Sequence, residues 1–243
     1  MRILVSNDDG IFSPGIVALA RVAREFGQVR IVAPDVEQSA MSHAITVRRP
    51  LHYTKTPVEG MEAYRVDGTP ADCVALGTHH WDEVDLVLTG INLGHNLGHN
   101  IWHSGTVAAA KQAAFLGIRA IAFSARYSDE PPDYDLFAPH VREVIDRVNG
   151  SAGPALLNVN FPDDPKGVMW TNMSVRHYEG YVIPGEDPMG RRHYWFAEEP
   201  RERLEEGTDR WAIENGYVSI TPLRLDLTDE LALQHAKVAD PTA

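Results

Sequence analysis

The 243-residue chain has a single cysteine, Cys73, so no intrachain disulfide can form, which fits a reducing cytoplasm. It lacks any apolar run near the roughly 20 residues that a membrane-spanning helix needs, and no membrane association is expected. Its first residues lack the basic segment and long apolar stretch that mark secretion. Basic charge is scarce: 22 Lys and Arg stand against 34 Asp and Glu, a net charge of −12. That excess argues against binding duplex nucleic acid or an anionic membrane. A small anionic substrate stays admissible, because a bound cation reverses the local field. Neither an internal repeat nor a low-complexity tract is present. What remains is an ordinary globular composition, 44% apolar and 23% charged.

Along the chain the pattern is β–α–β. Residues 2–7 read as a buried strand, Ser13-Pro14 as a helix start, and Ile16, Leu19, Ala20 and Ala23 as the buried face that Gly27 ends. Residues 29–33 form a second strand, 34–46 a polar loop, and 47–54 and 62–67 two further strands. Thr69-Pro70-Ala71-Asp72 starts a helix. Cys73, among its apolar residues, reads as a packed small side chain. A strand at 85–89, a Gly- and Asn-rich loop at 90–104, a helix from Thr106 to Phe115 and a strand at 118–124 follow. Pro131-Pro132 punctuates the chain before a helix with Val141, Val144, Ile145 and Val148 on one face, and then a strand at 155–161. This rhythm predicts an α/β fold: a Rossmann-like, doubly wound, mainly parallel sheet. The whole chain, 1–243, reads as one domain with a core at about 1–165 and an extension at about 166–243. The extension holds Trp170, Tyr178, Tyr181, Tyr194, Trp195 and Phe196 in short stretches, then a helix at 208–215, a strand at 218–225 and a last helix starting at Thr228. Its hairpins suit a subunit interface better than a plain cover.

Chemistry gathers where strands end. Asp8 and Asp9 close the first strand, and Gly10 permits the turn that brings them together. Adjacent carboxylates repel unless a proton or cation intervenes, and hard oxygens select Mg²⁺, Mn²⁺ or Ca²⁺. The plain alternative is one Asp capping the turn and the other in water. Asn92, in Gly90-Ile91-Asn92-Leu93-Gly94-His95-Asn96-Leu97-Gly98, stands at another strand end and offers both a carbonyl and an amide. Ser104-Gly105-Thr106 opens a helix, whose free N–H groups suit a phosphate, although Ser and Thr are also ordinary caps. Ser39 lies in the loop after the second strand, where a lone Ser is usually only a loop residue. His95, His99 and His103 recur every four residues, but Gly94 and Gly98 disfavour the helix a zinc site would need. His103 suits a donor or proton shuttle beside a phosphate.

Together these motifs make the chain resemble the SurE family, the survival-protein E metal-dependent 5′-nucleotidases. The resemblance runs through Ile3-Leu4-Val5-Ser6-Asn7-Asp8-Asp9-Gly10, Ala33-Pro34-Asp35 with Ser39 and Ser42, and Val66-Asp67-Gly68-Thr69-Pro70-Ala71-Asp72-Cys73-Val74. It continues through the Gly90 to Gly98 loop, Ser104-Gly105-Thr106-Val107, Asn158-Val159-Asn160, Thr208-Asp209 and Gly216 to Leu223. It implies one divalent cation per subunit, Mg²⁺ or Mn²⁺, held by Asp8, Asp9, Ser39 and Asn92, and phosphate contacts near Asn96, Ser104, Gly105 and Thr106. It implies hydrolysis of nucleoside 5′-monophosphates, with 3′-monophosphates and short polyphosphate as further substrates in some members. It also implies a homodimer or homotetramer with the C-terminal part exchanged or packed between subunits. Three features depart from the family pattern: Asn100 where an acid is expected, His103 where Tyr is expected, and Lys111-Gln112 in the following helix.

The expected chemistry is metal-assisted phosphomonoester hydrolysis, with Asp8 and Asp9 as anchors and possible bases, and with Asn96 and the amides around Gly105 opposing the developing charge. The rival is a non-enzymatic, Mg²⁺-binding phospho-receiver module. It needs an acceptor Asp at a later strand end, where this chain has Thr89-Gly90-Ile91-Asn92. A haloacid-dehalogenase-type phosphatase would need Asp-x-Asp, and this chain has Asp-Asp-Gly.

Overall fold

Ile3, Leu4 and Val5 are shielded from water on both faces of β1 (Arg2–Ser6), as a central parallel strand requires. The computed structural model describes residues 1–128, 130, 132–149, 155–175, 178–200 and 204–239. After β1 come α1 (Pro14–Ala23), β2 (Gln28–Pro34), β3 (Tyr53–Lys55), β4 (Ala63–Val66), α2 (Pro70–His79) and β5 (Leu86–Leu93). Then follow α3 (Gly105–Phe115), β6 (Arg119–Ala125), α4 (Ala138–Val148), β7 (Leu156–Phe161) and β8 (Val168–Trp170). The chain ends with β9 (Tyr178–Glu186), β10 (Arg192–Pro200), α5 (Asp209–Glu214), β11 (Val218–Pro222) and α6 (Glu230–Ala239).

One nine-stranded sheet has the order β3-β4-β2-β1-β5-β6-β7-β11-β8. From β4 to β7 every neighbouring pair is parallel; β3 on β4 and β11 on β7 are antiparallel. The expected doubly wound α/β fold is therefore the one observed. Ile3 and Val5 pack with α1 and α4 on one face, and Leu4 packs with α2 and α3 on the other. This alternation follows from the two-residue period of a strand. The chain leaves β1 towards β2 on one side, whereas β5 runs on to β6 on the other. The β1/β5 boundary is thus a topological switch point, where the carboxyl ends of an open sheet leave a crevice.

Helix starts follow the sequence. Ser13 Oγ accepts from the Ile16 amide, and Thr69 and Asp72 form a reciprocal capping box. Asp229 Oδ1 accepts from the Ala232 amide at 2.9 Å, capping α6. Gly15 lets the first turn of α1 lie against β5: a Cβ there would come within 2.1 Å of the Ile91 carbonyl oxygen.

Three boundaries differ from expectation. Of residues 47–54 only Tyr53 and Thr54 pair as a strand, β3, which runs on to Lys55; Pro50 offers no N–H for a ladder. The strand expected to end at Leu225 stops at Pro222. β5 runs past Thr89 to Leu93, with a register slip against β6 between Thr89 and Asn92. Such a bulge re-aims side chains at a sheet edge. Pro131 lies outside the described residues. The aromatic extension forms the hairpin β9–β10, a separate two-stranded sheet.

A ring stack closes the core under β6 and β7. Phe161 lies 4.7 Å from Phe137 and 5.8 Å from Phe123, centroid to centroid, with near-parallel planes. Phe161→Ala is expected to cost about 3–5 kcal/mol of stability, the range for emptying a buried aromatic site. Urea unfolding measures it, and a loss under about 1 kcal/mol would show that the stack does not hold the core.

Candidate active site

The turn after β1 is built by Asn7. Its buried Nδ2 donates to the Gly10 carbonyl at 3.0 Å and to Ser13 Oγ at 2.7 Å. The Ile11 amide donates to Pro34 O and the Gln38 amide to Asp8 O. With Gly10 at φ 99°, this turn directs both carboxylates to the switch point.

Asp8 is almost wholly buried and accepts a hydrogen bond from the Thr106 hydroxyl in the first turn of α3. Burial pushes its carboxyl above the usual range, with the Thr106 bond opposing the rise. Asp9 is pushed up to about 7, first by burial and then by the neighbouring Asp8 charge, against a lowering bond from the Leu93 backbone. Asp9 Oδ2 is buried without a hydrogen-bond partner. An orphaned carboxylate oxygen beside a second buried carboxylate is costly as it stands. It is the donor set a hard divalent cation takes, so the residues present fit such an ion. Among the described residues no group of three or more His, Cys, Asp or Glu side chains could hold a metal, so a cation here would have to draw on neutral oxygens as well.

Asn92, at the end of β5, is nearly buried; its Nδ2 donates to Gly94 O at 2.6 Å, which fixes the direction of its carbonyl. Ser39 is exposed and donates to Glu37 Oε1 at 2.6 Å. Asp9, Glu37, Ser39 and Leu93 line one cleft of about 590 Å³. Gly105 presses against Asp8: a Cβ there would lie 2.8 Å from Asp8 Cβ and 2.9 Å from Oδ2. Ser104 Oγ caps α3 by accepting from the Val107 amide at 3.0 Å.

Asn96 is differently placed. Its Nδ2 donates to Ser124 Oγ at 2.8 Å, and its backbone N–H donates to Asn160 Oδ1 at 2.8 Å. Its carbonyl accepts from Asn158 and Asn160. It is buried in a polar network that pins the loop after β5. Among the described residues the histidines form no metal-binding group: half-buried His95 donates from Nε2 to Phe161 O, and burial lowers its pKa. Lys111 stands over the Trp102 ring at 5.5 Å and Gln112 bonds His43. Lys111 and His43 line a second cleft, which includes neither Asp8 nor Asp9.

The family model for the survival protein SurE matches residues 3–180. The chain belongs to the SurE family. It is 53% identical over 234 residues to the 5′-nucleotidase SurE 1 of Thermus thermophilus, covering 94% of this chain and 93% of that protein. It is 48% identical over 240 residues to the 5′-nucleotidase SurE of Deinococcus radiodurans, covering 93% and 88%. A crystal structure of the SurE protein from Aquifex aeolicus superposes with a TM-score of 0.86 at 40% identity, covering 99% of this chain and 100% of that one.

This SurE chain also uses residues to which reading the sequence assigned no role: Asn7, Glu37, Ser124, Asn158 and Asn160. The last two alternate on an otherwise apolar buried strand, and that pattern is a signal that polar partners await them. Asn160→Ala would strip the Asn96 amide of its acceptor. It is expected to cost about 1–3 kcal/mol and to expose the 94–97 loop to limited proteolysis. Unchanged urea stability and an unchanged cleavage pattern would show that the network does not hold the loop.

Proposed function

We propose that this chain hydrolyses nucleoside 5′-monophosphates to nucleoside and phosphate, using one Mg²⁺ or Mn²⁺ ion held by Asp8, Asp9, Ser39 and Asn92. Membership of the SurE family supports the reaction. The observation that carries the cation site is the buried, unpartnered Oδ2 of Asp9 beside Asp8. A bound divalent ion supplies Lewis-acid polarisation of phosphoryl oxygens and offsets both carboxylate charges.

The chain's own groups then have distinct tasks. Thr106 holds Asp8 still through its hydroxyl. The Asp9 carboxylate, through the oxygen not given to the cation, is the acceptor we assign for the proton of the attacking water. The Thr106 amide is bonded to Asp8, so at the start of α3 we assign the Gly105 amide and the positive end of the helix to the reacting phosphate. Ser104 keeps that helix start ordered. Asn96 has its donor on Ser124 and reaches a phosphate only by exchanging that bond; its other task is to fix the loop.

Two finer substrate readings weigh differently. The cleft is lined by Asp9, Asp35 and Glu37 and, among the described residues, by no Lys or Arg. A monoester with a neutral remainder suits such walls, whereas a short polyphosphate brings extra negative charge against them. A 3′-monophosphate keeps the single charged group and stays admissible. The receiver alternative loses ground because β5 ends in Asn92 and Leu93, without an acceptor carboxylate. A cytoplasmic setting accords with Cys73 as a free, buried thiol. For a homodimer or homotetramer we assign contacts to β9–β10 and α6. Support comes from exposed Tyr181, Ile183, Trp195 and Phe196, and from the absence of any buried residue in α6.

Chelator stripping is expected to abolish hydrolysis of adenosine 5′-monophosphate, and Mg²⁺ or Mn²⁺ to restore it; full activity after stripping would refute the cation role. Gly105→Ala drives a methyl group into Asp8. It is expected to lower turnover by about 10²-fold, the scale of an ångström's misplacement. Asn92→Asp adds a third negative charge to the shell and is expected to weaken nucleotide affinity, read by calorimetry as well as by KM.

A further inference from the structure

Two aromatic side chains border the cleft and contribute little to the core. Phe12 is 66% exposed and Tyr127 is 68% exposed, yet both line the 590 Å³ cavity that contains Asp9 and Ser39. That volume falls within the about 300–1,000 Å³ typical of small-molecule sites.

Phe12 is presented by a rigid turn. On one side Ile11 is fully buried and its amide is bonded to Pro34 O. On the other, the Ser13 amide is bonded to Gly10 O and the Ser13 hydroxyl to Asn7. The backbone is tied down on both sides of a ring that core packing does not hold. Tyr127 lies two residues beyond β6, on the far side of β5 from β1. Strand ends separated by one intervening strand lie about 9–10 Å apart. Phe12 follows β1 by six residues and Tyr127 follows β6 by two, so the two rings enter one cavity from strands on either side of β5; one planar group held between two rings needs about 9–14 Å between them.

The other walls narrow the ligand further. Asp35 and Glu37 line the cavity, and among the described residues no Lys or Arg does. A second phosphate is therefore unsuited to this part of the cleft, and an uncharged planar ring is suited to it. We propose that Phe12 and Tyr127 bind the base of the substrate by stacking on its faces, so that nucleotides are selected by the possession of a base and not by its hydrogen-bonding edge. Every base has such a face, so stacking is tolerant of base identity. This rests on the nucleotide phosphatase reading above.

The test compares adenosine 5′-monophosphate with ribose 5-phosphate, which carries the same sugar and phosphate without the base. Steady-state constants are measured for the unsubstituted protein and for Phe12→Ala, Tyr127→Ala, Phe12→Trp and Tyr127→Phe. Each alanine variant is expected to raise KM for the nucleotide about 10-fold more than KM for ribose 5-phosphate, with the effect in KM and not in kcat. The Trp and Phe variants should keep the discrimination. Equal changes for the two substrates, or none, would overturn the clamp while leaving the phosphatase reading intact. If the unsubstituted protein turned over neither compound, the phosphatase reading would fall, and the clamp with it.

Discussion

Two carboxylates side by side, one buried and the other partly so, are the constraint to which the surrounding structure answers. Burial raises the cost of ionising both Asp8 and Asp9, and the Asp8 charge adds to that of Asp9. The fold meets that cost with a small number of donors from distant segments. The Thr106 hydroxyl serves Asp8, and the Leu93 backbone serves Asp9. One oxygen is left over, and the cation we propose would complete its coordination. Removing the pair would leave α3, β5 and the turn after β1 with donors aimed at nothing.

Topology makes this arrangement available without long loops. β1 and β5 are neighbours whose onward connections diverge, so no crossover covers their carboxyl ends. The bulge between Thr89 and Asn92 then turns the end of β5. Close contacts also matter: Gly15 and Gly105 bring two helix starts within reach of the β5 backbone and the Asp8 side chain. Any side chain at either position would push a helix away from the crevice.

Much of this was legible in the sequence, for physical reasons. Buried parallel strands must be continuous apolar runs, so β1, β2 and β6 could be seen. Ligand-type residues directly after such runs, Asp8, Asp9 and Asn92, mark the sheet edge. Less could be read where the partner is remote. The register slip in β5 was hidden because Gly90-Ile91-Asn92 has the chemistry of a loop. Asn96 looked like an open donor because its partner, Ser124, is supplied by another strand. Phe12 gave no sign of exposure, since an aromatic next to Ile11 reads as core. Fully buried Asp209, which accepts from the Gly98 and Ser174 amides, was visible only as part of the Thr208-Asp209 motif.

The loop carrying Ser39 is fastened at both ends of its reach. The Gln38 amide holds Asp8 O, while Ser42 bonds the carbonyls of Trp102 and His103. From there the chain enters α3, whose Thr106 returns to Asp8. These links form a closed circuit that begins and ends on one residue. A circuit of this kind cannot loosen one contact at a time without straining the others. The rim around the carboxylates is thereby cross-linked to itself, and its segments share one set of restraints.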